Sequence, residues 1–205
     1  MKSYPSITGE IRRGVPVYVF DKLDGSNVRA EWTRKRGFHK FGKRTTLLDP
    51  AYDVTPFLCE APDLIVEDFS DDLGEICRLK RWDKATFFFE FWGPSSFAGV
   101  HVDEPHRVTL IDVAVHRRGW MPARDFVRTF MGLDHATLLH HGNFTQKFQR
   151  MIETGTLPGM TFEGVVCKGT RSNGLPFMFK RKSEAWLQKL RERCEGDDKL
   201  YERLR

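Results

Sequence analysis

The sequence lacks the cysteine pairs from which zinc sites and disulfide frameworks are built. Its four cysteines, Cys59, Cys77, Cys167 and Cys194, are far apart, and none belongs to a Cys-x-x-Cys pair. No uninterrupted apolar run is long enough to cross a bilayer, and the charged N-terminal region contains no apolar signal segment. These absences predict reduced thiols, no membrane partner and a cytoplasmic location.

The excess of one charge sign is also small. The sequence has 33 Lys and Arg residues and 28 Asp and Glu residues, which gives a net charge of +5. That surplus is compatible with a polyanionic partner, but composition alone does not establish one. Internal repeats, low-complexity stretches and linkers rich in Pro, Gly and Ser are absent as well. We therefore predict a single domain over residues 1–205, in which residues 183–205 form a C-terminal helical segment.

Strand patterns recur along the chain and helical patterns lie between them. Within residues 28–33, apolar and polar residues alternate, which predicts a strand with one wet face. The acidic stretch 60–75 is predicted as helix and loop. Irregularly joined strands with inserted helices predict an α+β fold rather than a regular βαβ alternation. The strands predicted from β-branched and aromatic runs are 15–20, 28–33, 87–92, 108–115, 161–168 and 176–181.

In the second half of the chain, the sequence predicts two helices and the residues at which they begin or end. The apolar residues of 144–152 recur at i, i+4, i+7 and i+8, with Asn143 placed to cap the start and Gly155 to end the helix. Ser183 is placed to cap a last helix, which we expect to be interrupted near Gly196.

A first candidate for phosphate binding is the segment 37–44, GFHKFGKR, which nearly matches the P-loop pattern G-x-x-x-x-G-K-[ST]. Arg44 occupies the position that requires a hydroxyl to hold magnesium. Pro50 then follows too soon for a helix that would cradle phosphates. We predict that this segment is not a P-loop.

A second candidate is the segment 22–27, KLDGSN, directly after the first predicted strand. Lysine is a poor nucleophile at neutral pH because its reference pKa is about 10.4, but cationic neighbours or desolvation favour the neutral amine. Gly25 permits a close turn, while Asp24 and Asn27 offer polar anchors around Lys22. Alone, the segment is more typical of a hairpin turn with an exposed lysine.

Further charged residues lie in the apolar strands downstream. Glu163 and Lys168 flank one predicted strand, and the two-residue period places Lys180 and Lys182 on one face of another. Glu90 lies in an almost wholly aromatic run, where a carboxylate is costly unless it has a partner such as a ribose hydroxyl. Solvated strand edges or buried ion pairs would explain each segment separately, whereas their combination favours a catalytic site.

In chain order, the segments KLDGSN, GKRT, FEFWG, LIDV, EGVVCK and FKRK resemble motifs I, Ia, III, IIIa, IV and V of the covalent nucleotidyltransferases. That superfamily comprises ATP-dependent DNA ligases, RNA ligases and mRNA capping enzymes. The motifs extend from Lys22 to Lys182 and are most similar to the type-2 RNA ligases, although Thr46 stands where those ligases have glycine. The resemblance implies an adenylyltransferase domain with mostly antiparallel sheets and flanking helices.

The resemblance also implies a reaction. Lys22 would attack the α-phosphate of ATP and form lysyl-AMP, AMP would pass to a 5′-phosphate of RNA, and a 3′-hydroxyl would displace it. The implied metal ligand is Glu163, which would help to hold Mg²⁺ or Mn²⁺ through water. The implied nucleotide-binding residues are Asp21, Asn27, Arg44, Glu90, Lys168, Lys180 and Lys182.

The sequence departs from the family pattern at two points. Ile111 occupies the position before the motif IIIa acid, where the family often has an aromatic residue that stacks on the base. Only residues 183–205 follow motif V, too few for an oligonucleotide-binding barrel. In addition, Glu163 and Lys168 face opposite sides of a regular strand, so both reach one pocket only if Gly164 breaks the pleat.

RNA ends or a nicked duplex are the nucleic acid partners that the resemblance implies. A minimal DNA ligase that seals nicks and a non-catalytic nucleotide-binding module are the alternatives. The missing barrel counts against the first, and the intact Lys22 and Glu163 count against the second. His135, His140 and His141 predict a solvated loop rather than a metal site. The sequence does not determine the oligomeric state.

Overall fold

The computed structural model describes residues 1–7, 11–48, 56–99 and 101–205. Its sheets are antiparallel and its helices are inserted irregularly between strands, so the predicted α+β class is confirmed. The strands are β1 (Pro16–Lys22), β2 (Gly25–Thr33), β3 (Gly37–Lys43), β4 (Lys84–Trp92), β5 (Arg107–Val115), β6 (Gly119–Trp120), β7 (Leu138–Asn143), β8 (Gly164–Thr170) and β9 (Pro176–Lys182). The helices are α1 (Ala61–Leu79), α2 (Ala123–Phe130), α3 (Gln146–Glu153), α4 (Glu184–Arg193) and α5 (Asp198–Leu204).

The chain groups into two compact units, each with its own sheet. The first sheet has the strand order β3-β2-β4-β5-β6, and the second has the order β7-β1-β8-β9. The first unit consists of Met1–Ser6, Gly25–Ser95 and His101–His135, and the second consists of Ile7–Asp24, Ser96–Val100 and Ala136–Arg205.

Helix α1 packs its apolar side on the first sheet. Ile65, Phe69 and Leu73 are buried at the i, i+4, i+8 spacing of one helix face. The ring of Phe69 meets that of Phe89 in β4 edge-on, with centroids 5.0 Å apart. The acidic stretch predicted as helix and loop is therefore continuous helix from Ala61 onward. In the described parts of the chain, no helix is long and apolar enough to cross a membrane.

Strand β2 does not have the predicted wet face along its middle. Arg29 is only 3% exposed and Glu31 only 1%. Arg29 Nη1 donates to the carbonyl oxygen of Lys2 at 2.8 Å, and Glu31 pairs with Lys84 Nζ at 2.8 Å. The prediction was wrong because these charges have partners in the N-terminal segment Met1–Ser6 and in β4, which alternation within one strand does not reveal.

The segment 37–44, which was predicted not to be a P-loop, forms strand β3 over residues 37–43. This strand pairs with β2 along its length. The basic residues 34–36 form the exposed hairpin turn before it. Pro50, which was expected to stop a helix here, lies outside the described residues. The rejection of the P-loop is confirmed because these residues form a strand.

In the second unit, one face of the sheet packs on α3. Val17 and Val19 of β1 and Phe179 of β9 form a buried cluster with Phe148 and Ile152 of the helix. Alternate residues of each strand therefore point away from α3. The lysines of β1, β8 and β9 lie on this second face.

Side-chain caps define where the helices of this unit begin. Thr145 Oγ1 accepts from the backbone N–H of Phe148 at 3.1 Å, so Thr145 caps α3. Asn143, the predicted cap, is instead the last residue of β7. Ser183 caps α4 as predicted, since its Oγ accepts from the N–H of Trp186 at 3.1 Å. The predicted interruption separates α4 from α5.

The histidines predicted to lie in a solvated loop are partly in a strand. His140 and His141 belong to β7, where the ring of His141 stacks on Tyr18 at 4.0 Å between centroids. The ring of His140 faces Phe148 at 4.5 Å. The loop prediction was wrong for this pair because adjacent strand residues find ring partners on opposite faces of the sheet.

We expect Phe69→Ala to lower the free energy of unfolding by about 3 to 5 kcal/mol, because it removes a buried ring from the contact between α1 and β4. Val66→Ala on the same helix is the control, because Val66 is 43% exposed and should cost about 0.5 kcal/mol or less. Urea unfolding of both variants measures the difference. Equal losses would show that α1 does not pack on the sheet through Phe69.

Candidate functional site

One buried carboxylate binds two lysines in the second unit. Glu163 Oε2 accepts from Lys22 Nζ at 2.8 Å, and Glu163 Oε1 lies 3.0 Å from Lys182 Nζ. Glu163 is 3% exposed and Lys182 is 9% exposed. Two ammonium groups thus share one buried carboxylate.

The strand register explains why residues so distant in sequence meet. Antiparallel pairing places Lys22 at the end of β1 opposite Gly164, and Gly164 opposite Lys182 at the end of β9. Val19 points into the core, so Lys22, three positions further on, points to the opposite face. Lys22 and Lys182 thus end two strands on one face, on either side of the strand that follows Glu163.

Gly164 lets Glu163 turn toward these lysines. Its φ is +137°, and β8 begins only at this residue, so Glu163 lies outside the regular pleat. A Cβ at Gly164 would collide with the carbonyl oxygen of Arg181. Ser183 fixes the same turn, because its N–H donates to the carbonyl of Glu163 at 3.0 Å. The condition derived from the sequence, a broken pleat at Gly164, is met.

The other two lysines of the candidate site share this sheet face. Lys168 Nζ lies 5.0 Å from the ring centroid of Phe20, which is two residues before Lys22 and therefore on the same face. Lys180 Nζ donates to the carbonyl oxygen of Arg205 at 3.1 Å, just after the end of α5. The structure therefore brings all four candidate lysines to one face of one sheet.

Lys182 is the lysine whose protonation the surroundings alter most clearly. Burial lowers the pKa of Lys182 to about 8, and the charge of Lys22 acts in the same direction. Glu163 opposes this change in the pKa, because it stabilises the protonated form. The ammonium also donates to the carbonyl oxygen of Leu204 at 3.1 Å. Lys182 is thus a desolvated cation with oxygen acceptors on more than one side.

Two carboxylates next to Lys22 accept hydrogen bonds from backbone amides. Asp21 Oδ1 accepts from Thr161 N–H at 3.0 Å, and Asp24 Oδ2 accepts from Ala98 N–H at 2.5 Å. Burial raises the pKa of both carboxyl groups, and these hydrogen bonds oppose the rise. Both aspartates therefore hold neighbouring loops against the end of β1. The implied place of Asp21 near an adenine remains a prediction.

The first unit contains the other candidate residues. Asn27 and Glu90 are direct cross-strand partners of β2 and β4, and Arg44 is exposed just after β3. Tyr4 donates from its hydroxyl to Asp112 Oδ2 at 3.4 Å. Burial raises the pKa of Tyr4, Asp112 and Glu90 raise it further, and Arg44 opposes them. Residues of three motif segments thus influence the pKa of Tyr4. Sequence reasoning missed this tyrosine because no motif contains it.

The candidate residues are therefore divided between the units. Those in the second unit are Lys22, Asp21, Glu163, Lys168, Lys180 and Lys182, and those in the first are Asn27, Arg44 and Glu90.

The motif resemblance implies that Glu163 would help to hold a divalent cation through water. Among the described residues, no group of three or more His, Cys, Asp and Glu side chains is arranged to hold a metal. Magnesium, however, is commonly bound by one or two carboxylates together with substrate phosphates and water. A carboxylate surrounded by Lys22 and Lys182, which attract phosphate, fits that donor set. Such a cation would neutralise phosphate charge.

Comparison with known proteins identifies the fold. No protein-family model and no curated protein sequence matches the chain. Among solved structures, a variant of Naegleria gruberi RNA ligase with ATP and Mn matches with a TM-score of 0.62 and 17% identity, over 86% of this chain and 52% of that chain. The same ligase with PPi gives 0.60 and 16%, over 88% and 53%. A variant with AMP and Mn gives 0.61 and 16%, over 91% and 59%.

The chain thus has the nucleotidyltransferase fold of an RNA ligase, as the motif resemblance implied. It spans between half and three-fifths of the length of the ligase chains it matches. At identities of 16–17%, the likeness establishes the fold.

Gly164→Ala should destabilise the protein more than Gly174→Ala. Both glycines have positive φ, which costs an alanine about 1 to 2 kcal/mol, but a Cβ at Gly174 meets nothing within 4 Å. At Gly164 it would collide with the carbonyl of Arg181, which adds roughly 1 to 3 kcal/mol. Chemical unfolding measures both values. Equal losses would mean that strand β9 does not restrict Gly164.

Lys182 should make stability depend on pH in the alkaline range. Its pKa falls from 10.5 to about 8 on folding, so between these values the unfolded state binds more protons and stability rises with pH. The rise should amount to roughly 3 kcal/mol at most. We expect the stability of the wild type to rise by this amount relative to Lys182→Met between pH 8 and 10 in urea unfolding. Lys189→Met, at an exposed position of α4, is the control and should show no such trend. If the difference in unfolding free energy between the wild type and Lys182→Met did not change with pH, the lowered pKa of Lys182 would be contradicted.

Proposed function

We propose that this protein is an ATP-dependent polynucleotide ligase that joins 5′-phosphate and 3′-hydroxyl ends of RNA through a lysyl-AMP intermediate on Lys22. The observation that carries the proposal is the ion cluster of Lys22, Glu163 and Lys182, in a chain with the fold of an RNA ligase. Since the chain spans only part of the ligases it matches, the substrate rests on the motif resemblance together with the names of those ligases.

In the first step, the neutral amine of Lys22 attacks the α-phosphorus of ATP. A P–N bond forms, the bond to the β-phosphate oxygen breaks, and pyrophosphate leaves. Lys22 must first lose a proton to solvent, and the neighbouring charge of Lys182 favours this loss. Glu163 opposes it for as long as it stays paired with Lys22. Glu163 would help to hold a divalent cation that arrives with the nucleotide, and such a cation would neutralise phosphate charge.

The remaining lysines supply positive charge for the phosphates. Phosphoryl transfer depends mainly on positioning and on charge neutralisation, because the transferred group carries its charge on several oxygens. Lys180 and Lys182 already donate to the carbonyl oxygens of Arg205 and Leu204, so their N–H groups are directed at oxygen acceptors. We assign these two lysines and Lys168 to the triphosphate.

The later steps transfer AMP to the 5′-phosphate and then expel it. The 5′-phosphate oxygen attacks the phosphorus of lysyl-AMP, which frees Lys22, and the 3′-hydroxyl then displaces AMP with formation of the phosphodiester. We assign Glu90 to the ribose hydroxyls, and Arg44 to the nucleotide or to the incoming phosphate. Asn27 is assigned to the nucleotide, and Asp21 with its adjacent backbone to the adenine.

Labelling with α-³²P-ATP and a divalent cation tests the covalent step. We expect label on the denatured wild-type protein, and no label from GTP. Lys22→Ala should lose at least about a thousandfold in labelling because the nucleophile is gone. Lys189→Ala, a change at an exposed lysine of α4, should label normally. Label that persists in Lys22→Ala would assign the nucleophile to another lysine, and the absence of label on wild type would refute the proposal.

The isolated lysyl-AMP protein then distinguishes the nucleic acid substrates. It is mixed, without ATP, with single-stranded RNA ends and with nicked duplexes that carry RNA or DNA strands. We expect AMP release and joining with RNA ends. Joining of nicked DNA alone would instead identify a DNA ligase.

A further inference from the structure

Lys182 has an aromatic partner in addition to its oxygen acceptors. Its Nζ lies 3.5 Å from the ring centroid of Trp186 in the first turn of α4. The face of a tryptophan ring attracts a lysine cation, and the attraction grows when water is excluded. Trp186 is only 3% exposed, so this contact lies inside the unit.

The turn between β9 and α4 determines where this ring lies. Ser183 Oγ accepts from the N–H of Trp186 at 3.1 Å and donates to the carbonyl of Phe162 at 2.6 Å. Phe162 directly precedes Glu163. One serine therefore connects the backbone of the tryptophan with the residue before the carboxylate that Lys182 binds.

Core packing accounts for the burial of Trp186 but not for its contact with a cation. The ring belongs to a buried cluster with Leu190, Cys194 and Tyr201, and the indole also lowers the pKa of Asp24 through a side-chain hydrogen bond. A leucine there would leave the ammonium of Lys182 against an aliphatic surface, which offers no electrostatic attraction. The cation on the ring face thus distinguishes a role in the site from a role in packing.

We propose that Trp186 is a positioning residue, whose ring holds the ammonium of Lys182 toward Glu163 and Lys22 for contact with a phosphate. This inference rests on the proposed function, in which Lys182 binds the phosphates of ATP. Trp186 itself touches neither the nucleotide nor the reacting atoms.

The ring also acts on the charge of the lysine. Burial lowers the pKa of Lys182 to about 8, and Lys22 and Lys180 act in the same direction. Glu163 opposes them, and the carbonyl of Leu204 accepts from the ammonium. A ring face stabilises only the protonated form, so the ring of Trp186 acts in the same direction as Glu163. Without the ring, Lys182 should lose its proton at lower pH.

A carbon NMR titration of the Lys182 ε-carbon measures this effect without any need for catalysis. The resonance is assigned by its absence in Lys182→Met. We expect Trp186→Leu to lower the pKa of Lys182 by roughly half a unit to one unit. Leu190→Ala is the matched control, because it damages the same apolar cluster without touching the lysine and should leave the pKa unchanged. A Trp186→Leu value equal to that of the wild type or of Leu190→Ala would overturn the inference.

Trp186→Phe keeps the experiment decisive if the leucine variant does not fold, which thermal unfolding checks. Phenylalanine preserves a ring with a weaker attraction for cations, so the pKa of Lys182 should fall by a smaller amount. An unchanged or raised pKa in Trp186→Phe would then count against the role of the ring.

The pH profile of lysyl-AMP formation connects the contact with catalysis. The rate should fall on the alkaline side as Lys182 loses its proton, and this fall should begin at lower pH in Trp186→Leu than in Leu190→Ala. Identical pH profiles for the two variants would show that Trp186 contributes only to packing. If the wild type forms no lysyl-AMP, the proposed function fails, while the NMR titration still decides whether the ring holds Lys182.

Discussion

The arrangement of the candidate site in the second unit depends on the carboxylate of Glu163, which is shared by the ammonium groups of Lys22 and Lys182. A buried charge is tolerated when it is paired, and removal of one partner leaves an uncompensated charge at high cost. Each of the two ammonium groups has this carboxylate as a partner, so the cluster meets that condition. In the proposed function, Lys182 would attract phosphate and favour loss of the proton of Lys22.

A sheet positions these groups more precisely than a set of loops would. The antiparallel register places Lys22, Gly164 and Lys182 in one row across β1, β8 and β9, and the two-residue period directs both lysines to the face away from α3. Glu163 reaches the same place only because β8 begins with a glycine at φ +137°. The site therefore combines two lysines from regular strands with one acid from a break in the pleat.

Periodicity predicted the α+β class and the strands β1, β2, β4, β5, β8 and β9, because each of these strands buries its own apolar residues. It did not predict β3, β6 or β7. It failed where a residue's environment depends on distant partners. The alternation within residues 28–33 predicts that Arg29 faces solvent. Arg29 is nevertheless buried, because the backbone of Lys2 accepts its hydrogen bond. Asn143 and Thr145 are both good caps, and apolar spacing does not choose between them. The contacts of Tyr4 and Trp186 were missed because partners far apart in sequence, or across a turn, do not appear in the pattern of one segment.

The surroundings of Lys182 indicate which contact a phosphate would replace. Glu163, the carbonyl of Leu204 and the ring of Trp186 surround the ammonium, so it has little capacity for another acceptor. Hydrogen bonds to charged acceptors are about twice as strong as those to neutral ones. The neutral carbonyl is therefore the partner that a phosphate oxygen displaces most easily, while the carboxylate and the ring keep the lysine in place. Binding of a triphosphate would then require the end of α5 to withdraw from Lys182, so that nucleotide affinity depends on how firmly this helix packs.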